Sequence, residues 1–360
     1  MDKEKQILHY IRLNPFISQQ ELADKVGISR SAVAGYIANL TKRGVIQGRA
    51  YVLRQDSVIT CIGGANLDRK ARSKQKVRFY SSNPVTITET CGGVARNVAE
   101  NLGRLGCTVS LVTCVGDDKE GWRILEETKK HGVDVSQSWI MPSGQTGTYT
   151  ALLDTDGEMI IALANMDIYE QLTPSLLRSK WDRIAASTAV FLDTNLPEES
   201  LLFIIRRCQE EGIPLYIDPV SAAKATRLPP DLTGTDTILP NREEAECLAG
   251  MRIENLDDCK RACEHIRQRG AKNIILTLGP QGVFFSSPEG SGHFPPFQTE
   301  IVDVTGAGDA FVSGFLYGIV QGEPLPRASQ LGLAAAALAL RTEHSSSINL
   351  DSNQLYNFLR

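Results

Sequence analysis

Asp303-Val304-Thr305-Gly306-Ala307-Gly308-Asp309 runs directly into Ala310-Phe311-Val312-Ser313-Gly314-Phe315-Leu316. The second half is apolar all round, so it reads as a buried helix whose N-terminus points into the protein. Small residues at 306–308 let the backbone approach a ligand closely. Their N–H groups join the positive end of the helix dipole, and together these make an anion site. Asp309, beside that site, would be repelled by a bound phosphate. It suits a general base that takes a proton from an attacking hydroxyl while the amides stabilise the transferring phosphoryl group. The plainer alternative is that Asp309 offsets its own helix dipole and the glycines only make a tight turn.

Upstream of this stretch, from residue 58, apolar runs alternate with helical ones. Val58-Ile59-Thr60-Cys61-Ile62 reads as a buried strand, followed by runs at 108–115, 189–192, 214–217, 237–239 and 274–278. That alternation predicts a largely parallel sheet covered by helices on both faces. Residues 148–161 instead read as a hairpin about the turn Asp154-Thr155-Asp156-Gly157. The strand ends carry chemistry. Ile62 leads to Asn66 and Asp68, Leu192 to Asp193 and Asn195, Ile217 to Asp218, Leu239 to Asn241 and Glu244, and Leu276 to Thr277 and Gly279. Open α/β sheets bind ligands outside the carboxyl ends of their strands, so these groups are expected to converge on one crevice. Turn and cap preferences of Asp and Asn account for any one of them, less well for all five.

The N-terminal segment is different in kind. Residues 1–56 hold nine basic and five acidic side chains, whereas the 360-residue chain holds 38 basic and 42 acidic. The acidic excess therefore lies wholly beyond residue 56, and an asymmetry of that sort points to a polyanion partner for the first segment. Ile7, Leu8 and Ile11 begin one helical stripe. Ser18 is placed to cap a helix through Leu22, Ala23 and Val26, and Ser29 to cap a third through Ala32, Val33, Ile37 and Leu40. Val45–Leu53 reads as a small hairpin. This order resembles the winged helix-turn-helix of bacterial regulators, which implies DNA contacts from Ser29, Arg30, Ser31 and Gly35 at the recognition helix and from Arg49 in the wing. The alternative is a small helical docking or dimerisation module with solvated charges.

Composition closes other routes. With 42% hydrophobic and 22% charged residues the chain is neither fibrous nor disordered. The apolar run Leu331–Leu340 is too short for a bilayer, and the charged start is no secretory signal, so a cytoplasmic protein is expected. Eight scattered cysteines without a CxxC pair read as reduced thiols, Cys259 and Cys263 as helix packing. No structural zinc site is expected from five isolated histidines.

Two long signatures then carry a family resemblance. The run 303–309 with its downstream Ser313-Gly314, and Cys91-Gly92-Gly93-Val94-Ala95-Arg96-Asn97-Val98-Ala99, stand in the order found in ribokinase-like carbohydrate kinases, after Gly63-Gly64-Ala65-Asn66-Leu67-Asp68. The resemblance covers 58–350. It implies a three-layer α/β/α fold with a mostly parallel sheet and a small β lid (elements around 69–90 and 148–161) within 57–360, preceded by the winged helix-turn-helix of 1–56.

It also implies roles. Asp309 is the catalytic base and Gly306, Ala307 and Gly308 the anion hole. Asp68 holds two sugar hydroxyls, helped by Asn66, Gly92, Gly93 and Asn97. Asn241 and Glu244 match an N-x-x-E element that organises hydrated Mg²⁺ and the phosphates of ATP, although a plain helix cap with a capping-box glutamate reads the same four residues. Thr277, Gly279 and Gly282 match the nucleotide-side loop. Asp303 and Thr305, with Ser347, would ring a monovalent cation such as K⁺. No GxxxxGK[ST] loop occurs.

Within the family the likeness is to pseudouridine kinases, carried by Ser82-Asn83-Pro84, by residues 150–169, by Asp218–Lys224 and by Pro240–Gly250. The hairpin would be part of a lid that excludes water. Asn165 and Asp167 would meet a uracil-like face and Lys224 the substrate or phosphate; their plain alternatives are turn residues and a solvated cation. Pseudouridine kinases ordinarily lack the N-terminal segment. Two readings follow: an ATP-dependent kinase for the 5′-hydroxyl of a ribonucleoside, or of another nucleoside or sugar, and a ligand-sensing transcriptional regulator with a kinase-like domain. A homodimer is compatible with either.

Overall fold

The computed structural model describes residues 3–14, 17–46, 58–342 and 350–359. Its centre is a nine-stranded sheet, in spatial order Gly290–Phe294, Val283–Ser287, Asn273–Thr277, Thr237–Ile238, Leu215–Asp218, Ala189–Asp193, Val58–Ile62, Thr108–Val112 and Val133–Asp134. The last seven in that order run parallel, and the first two close the edge as an antiparallel meander.

Successive side chains leave a strand on opposite faces, and each face here meets its own core. Val190 and Leu192 pack with helices Glu198–Glu211 and Leu256–Gln268, whereas Phe191 packs with Val94–Arg104, Ala307–Val320 and Leu325–Ala339. Continuous apolar strands are what such two-sided burial demands. Cys259 and Cys263 are buried in the first of these cores, as their i, i+4 spacing suggested.

One expectation is corrected. The run at 108–115 is not one strand: Thr108–Val112 joins the main sheet, while Cys114–Gly116 pairs separately with Trp139–Met141. Asp68 lies inside Asn66–Ser73, which pairs with Val85–Gly92 on one side and Thr148–Leu153 on the other. Met159–Asn165 completes this four-stranded second sheet, so the expected hairpin extends to 165. The sheet is built from the segments expected to form a lid.

Helices Lys3–Leu13, Gln19–Val26 and Arg30–Lys42 enclose a small separate core of Ile7, Ile11, Ile17, Leu22, Val26, Val33, Ile37 and Leu40. Ser18 and Glu21 form a full capping box, and Gly27 ends the second helix in the left-handed conformation. Ser29 caps the third helix by accepting from the Ala32 N–H at 3.2 Å. Arg49 and most of the expected hairpin after Ile46 lie outside the described residues.

Phe315 anchors the helix that carries Asp309: it is fully buried and meets Tyr216 edge-on at 6.3 Å between ring centroids. Phe315→Ala is expected to cost about 3–5 kcal/mol, read as a lowered urea midpoint. An unchanged midpoint would show that this helix is held elsewhere.

Candidate active site

Four hydrogen-bonded clusters carry the expected site residues, around Asp309, Asp68, Asp193 and Asn241. Helix Ala307–Val320 starts at Gly306, whose φ of 78° is left-handed, and no side chain caps it. The Ala307 N–H bonds the Val304 carbonyl at 3.3 Å, which leaves the next first-turn amides, of Gly308 and Asp309, for a ligand. Gly308 is exposed, and a methyl group added there would touch nothing within 4 Å.

Asp309 lies in that first turn, half-buried. Its Oδ2 accepts from Asn97 Nδ2 at 2.7 Å. Burial pushes the Asp309 carboxyl up to about 7; the Asn97 bond opposes this, the charges of Asp193 and Asp68 add to it, and Arg96 pulls it back. A carboxyl near 7 is half ionised at neutral pH, which suits a group that must take up a proton and release it.

Asn97 is held in turn. Its Oδ1 accepts from Arg96 Nη1 at 2.9 Å, and the same nitrogen donates to the Cys91 carbonyl at 2.8 Å. Arg96 is ion-paired with buried Glu100, which also takes Arg104 at 2.9 Å. Glu100, Arg96, Asn97 and Asp309 thus form a relay. Asn97 meets the candidate base directly, and each of its polar atoms keeps one further bond for the expected hydroxyl.

Asp68 Oδ1 accepts from Asn66 Nδ2 at 2.5 Å. Burial raises the Asp68 carboxyl to about 6, against the Asn66 bond and the nearby Arg96 and Lys70 charges. Gly92 stands against it: a Cβ at 92 would come within 2.1 Å of Asp68 Oδ2, so any side chain there would push the Asp68 carboxyl out of place. Gly93 begins helix Val94–Arg104.

Asp193, fully buried, ties these pieces together. Its carboxylate accepts from Gly64 N–H at 2.8 Å and Ala95 N–H at 2.9 Å, and from Asn195 N–H and Nδ2. Lys224 Nζ donates to Asn195 Oδ1, so Lys224 joins this network rather than standing free in solvent.

On the other side of the sheet ends, Asn241 and Glu244 do make a capping box. Glu244 accepts from Asn241 N–H at 2.9 Å and Asn241 Nδ2 at 2.7 Å, and Asn241 Oδ1 accepts from Glu244 N–H at 2.9 Å. Burial lifts the Glu244 carboxyl to about 7. Asp218, side by side with Asp193 in strand register, is raised well above the usual range by burial and by the charges of Glu244 and Asp309. Thr277 bridges Asn241, and the turn Gly279–Gln281 closes back through Leu278 N–H to Gly282 carbonyl at 2.8 Å.

Asn165 is not brought to this site. Its register partner is Thr148, itself opposite Leu67, so by strand alternation it lies on the face of the second sheet away from Asp68. Asp303 and Thr305 are adjacent as expected, Asp303 Oδ1 accepting from Thr305 N–H at 2.8 Å and Oγ1 at 2.7 Å, but both also meet Lys70. Ser347 lies outside the described residues. Ser29, Arg30 and Ser31 are exposed together at the head of the third helix.

Asp193 and Asp218 carry no individual role in the sequence pattern, and Arg96 and Lys70 none at all. The first two were visible as strand-end acids. Lys70 was visible only through alternation along Asn66–Ser73, which puts Asn66, Asp68 and Lys70 on one face.

Comparison with known proteins agrees with this architecture. Residues 56–352 match the pfkB family carbohydrate kinase profile, and residues 2–47 match a winged helix-turn-helix DNA-binding profile. The uncharacterized sugar kinase YeiI of Escherichia coli is 34% identical over 340 residues, 94% of this chain and 93% of the relative. The pseudouridine kinase of the same organism is 33% identical over 299 residues, 83% of this chain and 95% of the relative. A carbohydrate kinase structure from Agrobacterium tumefaciens superposes with a TM-score of 0.75 at 31% identity, covering 84% of this chain and 97% of that one.

The relay makes a directional prediction. Turnover should fall below about pH 7, because a carboxyl acting as base at Asp309 must be ionised to accept a proton. Asn97→Ala removes a bond that favours the ionised form, so the acid limb should move to higher pH. An acid limb that stays in place in the variant would separate Asn97 from the base.

Proposed function

The chain belongs to the pfkB family of carbohydrate kinases, phosphotransferases whose acceptor is an alcohol, and on that footing we propose that it phosphorylates the 5′-hydroxyl of a ribonucleoside from ATP, with pseudouridine as the first candidate. The observation that carries this reading is the raised Asp309 carboxyl in the first turn of an uncapped helix. The likeness to the E. coli pseudouridine kinase supports the substrate.

In this mechanism Asp68, steadied by Asn66 and backed by Gly92 and Gly93, holds ribose hydroxyls. That leaves the 5′-hydroxyl beside Asp309, which takes its proton as the oxygen bonds to the γ-phosphorus and the bond to ADP breaks. The Gly306, Ala307 and Gly308 amides take up negative charge on the transferring group. Asp309 then releases the proton to solvent. Asn195 and Lys224 fit the substrate side of the crevice. Asn241, Thr277, Gly279 and Gly282 fit the nucleotide side.

Asp218, Asn241 and Glu244 offer only oxygen donors, the chemistry of a hydrated Mg²⁺. They would hold it through water, where it would offset phosphate charge. The second sheet, a lid in this reading, keeps water from the phosphoryl group. Its outer face leaves Ile87, Ile161 and Leu163 exposed, a surface suited to a homodimer contact. Residues 1–56 would bind DNA through Ser29, Arg30 and Ser31, in a cytoplasmic protein; no helix among the described residues is long and apolar enough to cross a membrane. The chain retains Asp309, the uncapped helix start beside it and the Asn241–Glu244 pair together, which favours the kinase reading with DNA binding added to it.

A coupled ADP assay across nucleosides and pentoses tests the substrate, with pseudouridine expected to give the highest kcat/KM. Asp309→Asn should lower kcat about 10²–10⁴-fold with nucleoside affinity kept; ordinary turnover in that variant would refute the base. Binding to a promoter fragment should weaken steeply between 50 and about 200 mM salt and disappear with Arg30→Glu. Salt-insensitive binding would make residues 1–56 a docking module.

A further inference from the structure

Lys70 crosses from the second sheet to the loop that leads into the anion hole. Its Nζ lies 3.2 Å from Asp303 Oδ2 and 3.3 Å from Thr305 Oγ1. Asp303 Oδ1 meanwhile accepts from the Thr305 N–H and hydroxyl, which folds the two side chains into one oxygen-lined corner. Burial alone would raise the Asp303 carboxyl, but the Thr305 bonds and the Lys70 charge outweigh it and hold it below the usual carboxylate range.

These are the described oxygens expected to ring a monovalent cation, and they do not fit that role, because the chain's own ammonium already faces them. We infer that Lys70 is the built-in monovalent cation of the Asp303–Thr305 corner, so that this enzyme needs no K⁺ there. An ammonium is a compact single positive charge with three donors, which meets the carboxylate and the hydroxyl at once.

Its position has two consequences. It adds a positive charge beside the first-turn amides of Ala307–Val320, where negative charge develops in phosphoryl transfer. It also reaches that loop from the strand that carries Asp68, two residues away on the same face. The alcohol-binding strand and the phosphoryl-binding loop are therefore fastened by one side chain. The ion pair is part exposed, 42% at Lys70 and 23% at Asp303. Such pairs add little to folding stability, so the effect of Lys70 lies in the local field and the fastening.

This inference deepens the kinase reading and rests on it, but one arm of its test needs no turnover. The full chain and Lys70→Met are compared in KCl, LiCl and N-methyl-D-glucamine chloride at equal ionic strength, reading thermal midpoint and ADP formation. The wild type should show the same midpoint and turnover in all three. Lys70→Met should lose turnover at least tenfold in N-methyl-D-glucamine, and K⁺ should raise both its turnover and its midpoint with saturation while Li⁺ does not. Lys70→Gln, a polar replacement, guards against a folding defect and should behave alike.

A saturable, K⁺-selective rise in the wild-type midpoint would overturn the inference. So would variants that no cation affects, whether they stay fully active or show a raised KM for ATP, the mark of a phosphate contact. If no nucleoside or sugar is phosphorylated, the midpoint arm still decides the cation question, and the failure belongs to the kinase reading.

Discussion

One hydrogen bond, 2.7 Å from Asn97 to Asp309, joins the two helices on which the site depends. Val94–Arg104 brings Asn97 one turn in from Gly93, and Ala307–Val320 brings Asp309 one turn in from Gly306. The first turn of Val94–Arg104 is filled from within, its Ala95 N–H by Asp193 and its Arg96 N–H by the Gly64 carbonyl, whereas Ala307–Val320 has no side-chain cap and keeps Gly308 at its open start. Charge balance follows from this meeting. Asp309 lies where a phosphoryl group would be welcomed by amides, in surroundings that make its own charge costly. Arg96 and Asn97 keep it ionisable while Asp68 and Asp193 press it toward the neutral form.

Asp193 gives that arrangement its rigidity. It sits at the end of the strand Ala189–Asp193, beside the first strand, and bonds the backbone at Gly64, just after that strand, and at Ala95, in the first turn of Val94–Arg104. A carboxylate with no exposure is tolerable only when its oxygens are filled. Here four N–H groups fill them, two from those backbone positions and two from Asn195. Moving the helix start away from Gly64 would strip Asp193 Oδ2 of one of its two bonds. The crevice is thus fixed at its floor by the main sheet, while the second sheet contributes Asp68 and Lys70 from above the strand ends.

What the sequence made legible was local. The anion-hole helix could be read because apolar residues all round, small residues at 306–308 and an acid at 309 are consecutive. The caps at Ser18, Ser29 and Asn241 could be read because a cap needs only three or four neighbouring residues. The strand-end rule located Asp193 and Asp218 without revealing their partners, which lie far away in sequence. The face of Asn165 was hidden for the same reason: it depends on pairing with Thr148, and one step of register reverses it. The split of 108–115 was hidden because both parts are equally apolar, and only the choice of partner strand separates them. The Lys70 contact spans more than two hundred residues, which no local pattern encodes.

The central claim is that this junction holds a carboxyl poised between its two protonation states. A ¹³C NMR titration of aspartate carboxyls, with Asp309→Asn to assign the signal, measures that directly. The account predicts a titration of Asp309 near pH 7; a midpoint in the ordinary aspartate range, about 4, would contradict it.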